Sequence, residues 1–370
     1  MSDPIPTRPI SKIIIVGAGP SGLLLALLLA KHGIPVHPRA AHYGAPAIPE
    51  FVRAGMADRI RERGMVLDTM CWRSSDEGNE YMAGFDAGRV LRRVHVDGVG
   101  EVDLRTHCLA LQDLDRLMLD EVVERYGGVV EWEHRVVEVG QDGKGAWCEV
   151  EVGNGKERKV VRGDYVVGRL CLGMMFPGFT WDEQIIATNT YYDFDGKFGW
   201  QDANFIIHPE HFFVAARLTR DGLYRITYGE TPGLICEEYL ARQPGSLRPS
   251  CPATRSQTTT KSPISRPTAC TSGGLGITGG FVDVGGLYDC LAGIWDGKVD
   301  EYILDLYSEE RTEKRVSDKD PKTRFERDQF MQDLMRAETD DVYLKELLMM
   351  PMEVRYDFTQ HYKEAVREVD

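Results

Sequence analysis

The residues in this chain best placed to do chemistry are glycines. Gly17-Ala18-Gly19-Pro20-Ser21-Gly22 has the spacing G-x-G-x-x-G. Gly17 permits a sharp turn, Gly19 lets the backbone approach a bulky anion with no Cβ in the way, and Gly22 allows a helix to pack closely on the preceding strand. The chemistry of such a turn is binding, because amides at a helix N-terminus and the positive end of the helix dipole together hold a pyrophosphate. NAD and FAD carry the same pyrophosphate, so the spacing alone leaves both open, beside a plain strand-to-helix turn with no ligand. Ser21 is a poor candidate for a hydrolase nucleophile, because Gly-Pro-Ser-Gly lacks the full G-x-S-x-G elbow.

These glycines need an element on either side. Lys12–Val16 is a β-branched run that reads as a buried parallel strand, and Ser21–His32 is a leucine-rich helix ended by Gly33. The uncharged run from Ile13 to Ala30 has about the length of a membrane span, but Gly17, Gly19, Pro20 and Gly22 suit a strand, a tight turn and a helix start better. No signal peptide is expected, since no basic segment leads into a small-residue cleavage site. A second strand at Val36-His37 stops at Pro38, and Ala47–Arg63 shows helical spacing up to Gly64. Asp97-Gly98 signals a hairpin, Asp113–Tyr126 an amphipathic helix, and Val129–Gly168 a meander of antiparallel strands punctuated by Asp142-Gly143 and Gly153-Asn154-Gly155.

A second strand-rich block from Ile185 to Tyr228 carries Tyr191, Tyr192, Phe194, Phe198, Trp200, Phe205, Phe212, Phe213, Tyr224 and Tyr228. Core packing accounts for most of them, and a share suits one sheet face over an apolar pocket. Gln243–Ser272 is dominated by Pro, Ser, Thr and Arg and is expected to be loop or disordered. Structure resumes at Gly273-Gly274-Leu275-Gly276 with a helix to about Trp295, and a charged helical tail beyond Lys298 breaks at Pro321 and Pro351.

Composition narrows the partners. At 42% hydrophobic and 28% charged the chain can bury one large or two modest cores, which excludes wholesale disorder. A net charge of -14 argues against nucleic acid, whose binding relies on Lys and Arg displacing counterions, and favours a small molecule. Eight cysteines without a C-x-x-C pair signal neither zinc nor a disulfide framework, so a cytoplasmic location is expected. His208-Pro209-Glu210-His211 offers two metal ligands but no third, and surface-turn histidines are the simpler reading, so no metal is expected. Glu309, Glu310, Arg311, Glu313, Lys314 and Arg315 read as a solvated helical face.

The glycine motif together with later segments resembles the FAD-dependent aromatic-ring monooxygenases, the para-hydroxybenzoate and phenol hydroxylase group of fungi and bacteria. Ile13–Gly33 is similar to the family's first βα unit. Pro38-Arg39-Ala40 with Ile48-Pro49-Glu50 resembles its flavin-contacting arginine and the helix after it. Leu111-Gln112-Asp113-Leu114 with Leu117 resembles its Gln-x-x-Leu segment, where the glutamine contacts the cofactor. Gly273-Gly274-Leu275-Gly276-Ile277-Thr278-Gly279-Gly280 with Asp283 is similar to its late glycine-rich helix start beside the flavin.

The resemblance implies an α/β fold: a Rossmann-like FAD-binding domain (1–66, 101–172 and 273–298), an interleaved β-sheet substrate domain (67–100 and 173–242), an irregular segment (243–272) and a helical C-terminal region (299–370). It implies FAD held by Gly17, Gly19, Pro20, Ser21, Gly22, Arg39, Gln112, Gly274, Gly276 and Gly279, with NAD(P)H as co-substrate. The implied reaction is hydroxylation of an aromatic, phenolic substrate through a flavin C4a-hydroperoxide, with no catalytic base singled out and the aromatic sheet of 191–228 as pocket ceiling. Three departures stand against this. The ribose-binding acid is absent where His37 meets Pro38, the Asp-Gly motif is missing after Gly168, and the Ser/Thr/Pro stretch replaces the Gly-Asp motif before Gly273. Loss and return of resemblance on this pattern looks like a shifted reading frame. A degenerate flavin fold without activity and an NAD-dependent dehydrogenase therefore stay open beside the monooxygenase.

Overall fold

The computed structural model describes residues 10, 12–17, 19–31, 42–74, 80–153, 155, 157–168, 184–207, 212–230, 275–316 and 327–362. Val36-His37, 243–272 and Pro321 lie outside them. The chain opens with β1 (Ile13–Val16) and α1 (Pro20–Lys31), the expected strand, turn and helix. Every residue of α1 from Leu23 to Ala30 is buried. A helix apolar on all sides needs cover on all sides, and α1 obtains it from β1 and two later helices.

After β2 (His42–Tyr43) come α2 (Ile48–Arg53) and α3 (Ala57–Arg63), where one helix over Ala47–Arg63 was expected. The break falls at Gly55, whose φ of +75° cannot continue a right-handed helix. Next are β3 (Met65–Leu67), β4 (Thr69–Ser74), β5 (Glu80–Asp86), and a hairpin of β6 (Val94–Val96) and β7 (Gly100–Val102) turning at Asp97-Gly98. β8 (Thr106–Cys108) leads into α4 (Leu111–Asp120), which ends in a π turn over Glu121–Arg125. There Glu121 is buried and ion-paired with Arg59 and Arg125.

β9 (His134–Asp142), β10 (Gly145–Val152) and β11 (Glu157–Gly163) form the expected antiparallel meander. The strand after them, β12 (Tyr165–Gly168), leaves it and pairs in parallel with β1, Ile13 opposite Tyr165 and Val16 opposite Gly168. Asp164 makes the switch, because its side chain accepts from the Lys12 amide at 2.7 Å while its own amide donates to the Lys12 carbonyl at 2.8 Å.

β13 (Gln184–Tyr191), α5 (Phe194–Phe198), β14 (Ala203–Ile207), β15 (Phe213–Arg217) and β16 (Leu223–Glu230) complete a six-stranded sheet ordered β13-β16-β15-β14-β4-β5. Segments 69–86 and 184–230 thus share one sheet across a long stretch of sequence. A separate three-stranded sheet, β2-β8-β3, lies beside it. The chain then runs through α6 (Leu275–Trp295), α7 (Tyr302–Val316), α8 (Arg327–Ala337) and α9 (Asp341–Met349), with a 3-10 turn over Met350–Val354 beginning at the Pro351 break. No helix among the described residues is long and apolar enough to cross a membrane.

The main core joins α1, α2, α4, the β6–β7 hairpin and α6. At its centre Phe51 stacks edge-on against Tyr43 (5.1 Å between centroids) and Phe281 (4.9 Å), and all three rings are buried. Phe281 comes from α6, so this trio fastens a late helix to early elements. Phe281→Ala is expected to lower unfolding free energy by about 3–5 kcal/mol, the usual loss for a buried aromatic truncated to a cavity. Urea unfolding checks it.

Candidate functional site

Three backbone segments converge at the start of α1. Gly17 has φ of +110°, where L-residues are strained, and a Cβ built on Gly17 or Gly19 would meet nothing within 4 Å. The turn therefore presents bare backbone to open space, the surface a pyrophosphate needs. Pro20 is the first residue of α1, where its missing N–H costs nothing. No acidic residue occupies the first turn of α1 or of α6, so neither helix dipole is met by a carboxylate of its own first turn.

The start of α6 comes up against this turn. A Cβ on Gly280 would sit 3.1 Å from Ser21 Oγ, and Gly279 opens to empty space. The Gly44 amide donates to Thr278 Oγ1 at 3.4 Å, bringing the end of β2 to the same place. Gly276 lies in the first turn of α6, and Gln112 is exposed on the first turn of α4, a helix packed on α1. Arg39, Gly274 and His208–His211 lie outside the described residues. Asp283 is committed elsewhere, ion-paired to Arg311 of α7.

The far side of α6 is held by charge. Glu50, 2% exposed, accepts from Arg53 at 2.9 Å and from Arg355 at 2.8 Å, and Arg53 also pairs with Asp289 of α6. Gly285 is required here, because any side chain would occupy the space of the Glu50 carboxylate. A cavity of about 360 Å³ opens beside this network, lined among others by Val99, Arg355 and Asp357. Burial pushes the Asp289 carboxyl up to about 6 against the opposing pull of Arg53.

The six-stranded sheet turns one face toward β2-β8-β3, and its register decides which residues stand there. Arg225 pairs with Ala216 and Asn189, and Thr227 with Val214. Val214 pairs in turn with Phe205, and Phe205 with Trp72. One face thus carries Arg225, Thr227, Phe205 and Trp72. Trp72 and Phe205 stack in parallel at 4.9 Å, with Phe85 and Phe330 against Trp72. Leu223, on the same face, packs with Met65, Leu67 and Cys108 of the small sheet. Cys108 is the register partner of His42.

Most aromatics read as a pocket ceiling stand on the other face. Phe194, Trp200, Phe213, Tyr224 and Tyr228 form a core of their own, since successive side chains of a strand point to opposite sides. Of that set Phe205 belongs to the seam, while Tyr191 and Phe212 are exposed. Arg225, Trp72 and His42 escaped the sequence reading. A signal existed in the alternation Tyr224-Arg225-Ile226-Thr227-Tyr228, which places arginine and threonine opposite three apolar residues.

His42 Nε2 is sealed from solvent with no hydrogen-bond partner. Burial, aided by nearby Arg225, pushes the ring down to about 4 while a hydrogen bond to the Arg217 backbone opposes it. Arg225 donates to Asn189 Oδ1 at 3.1 Å and pairs with no carboxylate among the described residues. Burial lowers its guanidinium from the usual arginine value.

Comparison with known proteins shows what the chain is similar to. Residues 11–173 match the model described as an FAD binding domain. The chain is 27% identical over 342 residues to para-nitrophenol 4-monooxygenase of Pseudomonas sp. (strain WBC-3), covering 81% of this chain and 82% of that protein. It is 27% identical over 352 residues to 6-hydroxy-3-succinoylpyridine 3-monooxygenase of Pseudomonas putida, covering 82% and 85%. The crystal structure of p-nitrophenol 4-monooxygenase from Pseudomonas putida DLL-E4 superposes with a TM-score of 0.76 at 24% identity, over 93% of this chain and 98% of that one. That likeness establishes the fold.

The Asp289 environment makes a pH prediction. Its folded pKa of about 6 stands above the ordinary 3.8, so between those values the folded state binds more protons than the unfolded. Stability from this group is full below about pH 4 and is lost as pH rises through about 6. Asp289→Asn should flatten that decline in unfolding free energy, measured by denaturant titration across the range.

Proposed function

We propose that this chain, a relative of the FAD-dependent aromatic-ring monooxygenases whose residues 11–173 are an FAD-binding domain, hydroxylates a small aromatic substrate at the seam between its two sheets, using FAD, NAD(P)H and dioxygen. The observation that carries the reading is the meeting of three glycine positions, the open turn at Gly17 and Gly19, Gly44 packed on Thr278, and Gly279-Gly280 with Gly279 open, at the starts of two helices. Their chemistry fits the cofactor: open Cβ positions admit a pyrophosphate, and helix N-termini without first-turn carboxylates favour its charge. Gly17, Gly19, Pro20, Ser21 and Gly22 would hold the pyrophosphate. Gly276 and Gly279, with Gly274, would line the flavin side, and Arg39 and Gln112 would add contacts.

When bound, FAD would supply the redox chemistry of a monooxygenation in which NAD(P)H is the reductant, one oxygen atom of O2 enters the aromatic ring and the other leaves as water. The residues of this chain supply position and dryness. Trp72 and Phe205, stacked on one another, would give the seat an apolar aromatic wall. Met65, Leu67, Cys108, Leu218 and Leu223 close the seam to water at one end, which limits unproductive release of reduced oxygen. The domain boundaries follow the same division, with 67–100 and 173–242 on the substrate side. The three missing family motifs argue for loose cofactor binding and partial uncoupling.

The test is reconstitution. With excess FAD and NAD(P)H, a panel of substituted phenols should give hydroxylated product together with hydrogen peroxide in excess of product. Absence of any FAD binding or NAD(P)H oxidation would refute the reading. Gly19→Val places a branched side chain where the pyrophosphate belongs, so FAD retention should fall by about tenfold or more, while the circular dichroism spectrum stays unchanged.

A further inference from the structure

Past the Gly279-Gly280 pair, α6 borders a cavity of about 360 Å³, a size within the range of about 300–1,000 Å³ typical of small-molecule sites. Four parts of the chain wall it: α2, the turn between β6 and β7, the middle of α6, and the C-terminal turns after Met350. Val99, Val282, Met352 and the Tyr356 ring make one part of the lining apolar.

The charges around it do not balance. Four carboxylates, Glu50, Asp97, Asp289 and Asp357, border the cavity against two guanidinium groups, Arg53 and Arg355. Both cations are engaged at the buried end, where Glu50 accepts from Arg53 at 2.9 Å and from Arg355 at 2.8 Å, and Asp289 pairs with Arg53. Asp97 and Asp357 are left over. No Lys or Arg among the described residues forms an ion pair with either. Asp97 meets the His95 ring at 3.4 Å. Asp357 caps a final 3-10 turn, Phe358–His361, through Oδ1, which accepts from the Thr359 amide at 2.9 Å and from the Thr359 hydroxyl, so Oδ2 stays open to a ligand. Asp357 also acts inward, as one of the charges that push the Asp289 carboxyl up.

An excess of two carboxylates around a partly apolar space suits a cation that also carries hydrocarbon. A metal ion does not fit, because no group of three or more His, Cys, Asp or Glu among the described residues is placed to hold one, and valine offers no ligand atom. An ammonium head on an apolar body satisfies both halves of the lining.

We infer that this cavity is a second ligand site, which takes a small organic ammonium whose charged head donates to Asp97 and Asp357 and whose hydrocarbon body packs on Val99, Val282 and Met352. The site stands apart from the glycine turn and from the seam between the sheets, and the inference does not depend on the monooxygenase reading.

The experiment is a calorimetric titration of the full chain at about pH 8, where an alkylamine is protonated and a carboxylate ionised, run with and without excess FAD. The probes share one body and differ in the head: cyclohexylmethylamine, cyclohexylmethanol and cyclohexanecarboxylate. The amine should bind on the order of tenfold or more tighter than the alcohol, with the carboxylate weakest, and added salt should narrow the margin. Asp97→Asn keeps a turn-forming residue ahead of Gly98, and Asp357→Asn keeps a good cap, so each removes charge with the fold intact. The double variant should bring the ratio of amine to alcohol near one. Val99→Trp fills the cavity and should abolish amine binding while FAD binding persists; should it fail to fold, the double variant decides. Equal binding of amine and alcohol, binding of neither, or a margin that survives in the double variant would overturn the inference. So would competition between the amine and FAD, which would put the amine at the cofactor turn. Failure of FAD to bind, with the amine preference and its loss in the variants intact, counts against the proposed function alone.

Discussion

Close packing of α6 on α1 is the constraint on which the other features rest. About 260 residues separate Gly280 from Ser21, yet the two stand so near that any side chain on Gly280 would press on the serine hydroxyl. Two helix starts without first-turn carboxylates then open onto one place, and the second brings Thr278 to the Gly44 amide. At this point of closest approach Gly280 and Ser21 offer little surface of their own, and the leucines of α1 supply the apolar cover. The helix is therefore anchored elsewhere along its length. Phe281 locks into the Tyr43–Phe51 pair, Asp283 binds Arg311, and Asp289 joins Arg53 in the network through which Glu50 reaches Arg355. The C-terminal region, including the Tyr362 hydroxyl that donates to the Asp289 carbonyl, thus acts on the glycine turn through the position of one helix.

The seam inherits its geometry from the same anchoring. β2 ends at Tyr43, just before Gly44 under α6, and its two side chains part: His42 stands toward the six-stranded sheet, near Arg225, while Tyr43 is pinned in the main core. Asp202 fastens the start of β4 to the start of β14 within the six-stranded sheet, accepting from the Asp68 and Thr69 amides at 2.9 and 3.2 Å.

Legibility in the sequence followed the range of the interaction. The glycine turn, α1, the Asp97-Gly98 hairpin and the β9–β11 meander are governed by residues a few positions apart, and spacing alone revealed them. The 47–63 helix was misjudged because the apolar period survives the Gly55 break, so α2 and α3 resemble one helix in pattern while differing in backbone. β12 reads in sequence as part of the 129–168 meander because its partner, β1, lies some 150 residues earlier, and the Asp164–Lys12 link that redirects it leaves no local trace. The seam was the least legible. Tyr224 and Arg225 are adjacent in sequence and equally compatible with a strand, and only the register of the whole sheet assigns the tyrosine to a core and the arginine to the opposite face. Most of the aromatics in this block therefore build that core, and Phe205 stands on the other face.

A protein with net charge -14 and a proposed pyrophosphate site poses an apparent conflict that distance resolves. At physiological salt, exposed charges more than about 8 Å away are largely screened, so the acidic surface contributes little at the turn. What acts there is local. Each helix N-terminus behaves as roughly half a positive charge, and two of them converge with no carboxylate in either first turn. The nearby acids of α6, Asp283 and Asp289, are paired with Arg311 and Arg53, which cancels their fields where screening by water is weakest. The chain is acidic overall, yet the anion site proposed at the turn is defined by where its carboxylates are already occupied.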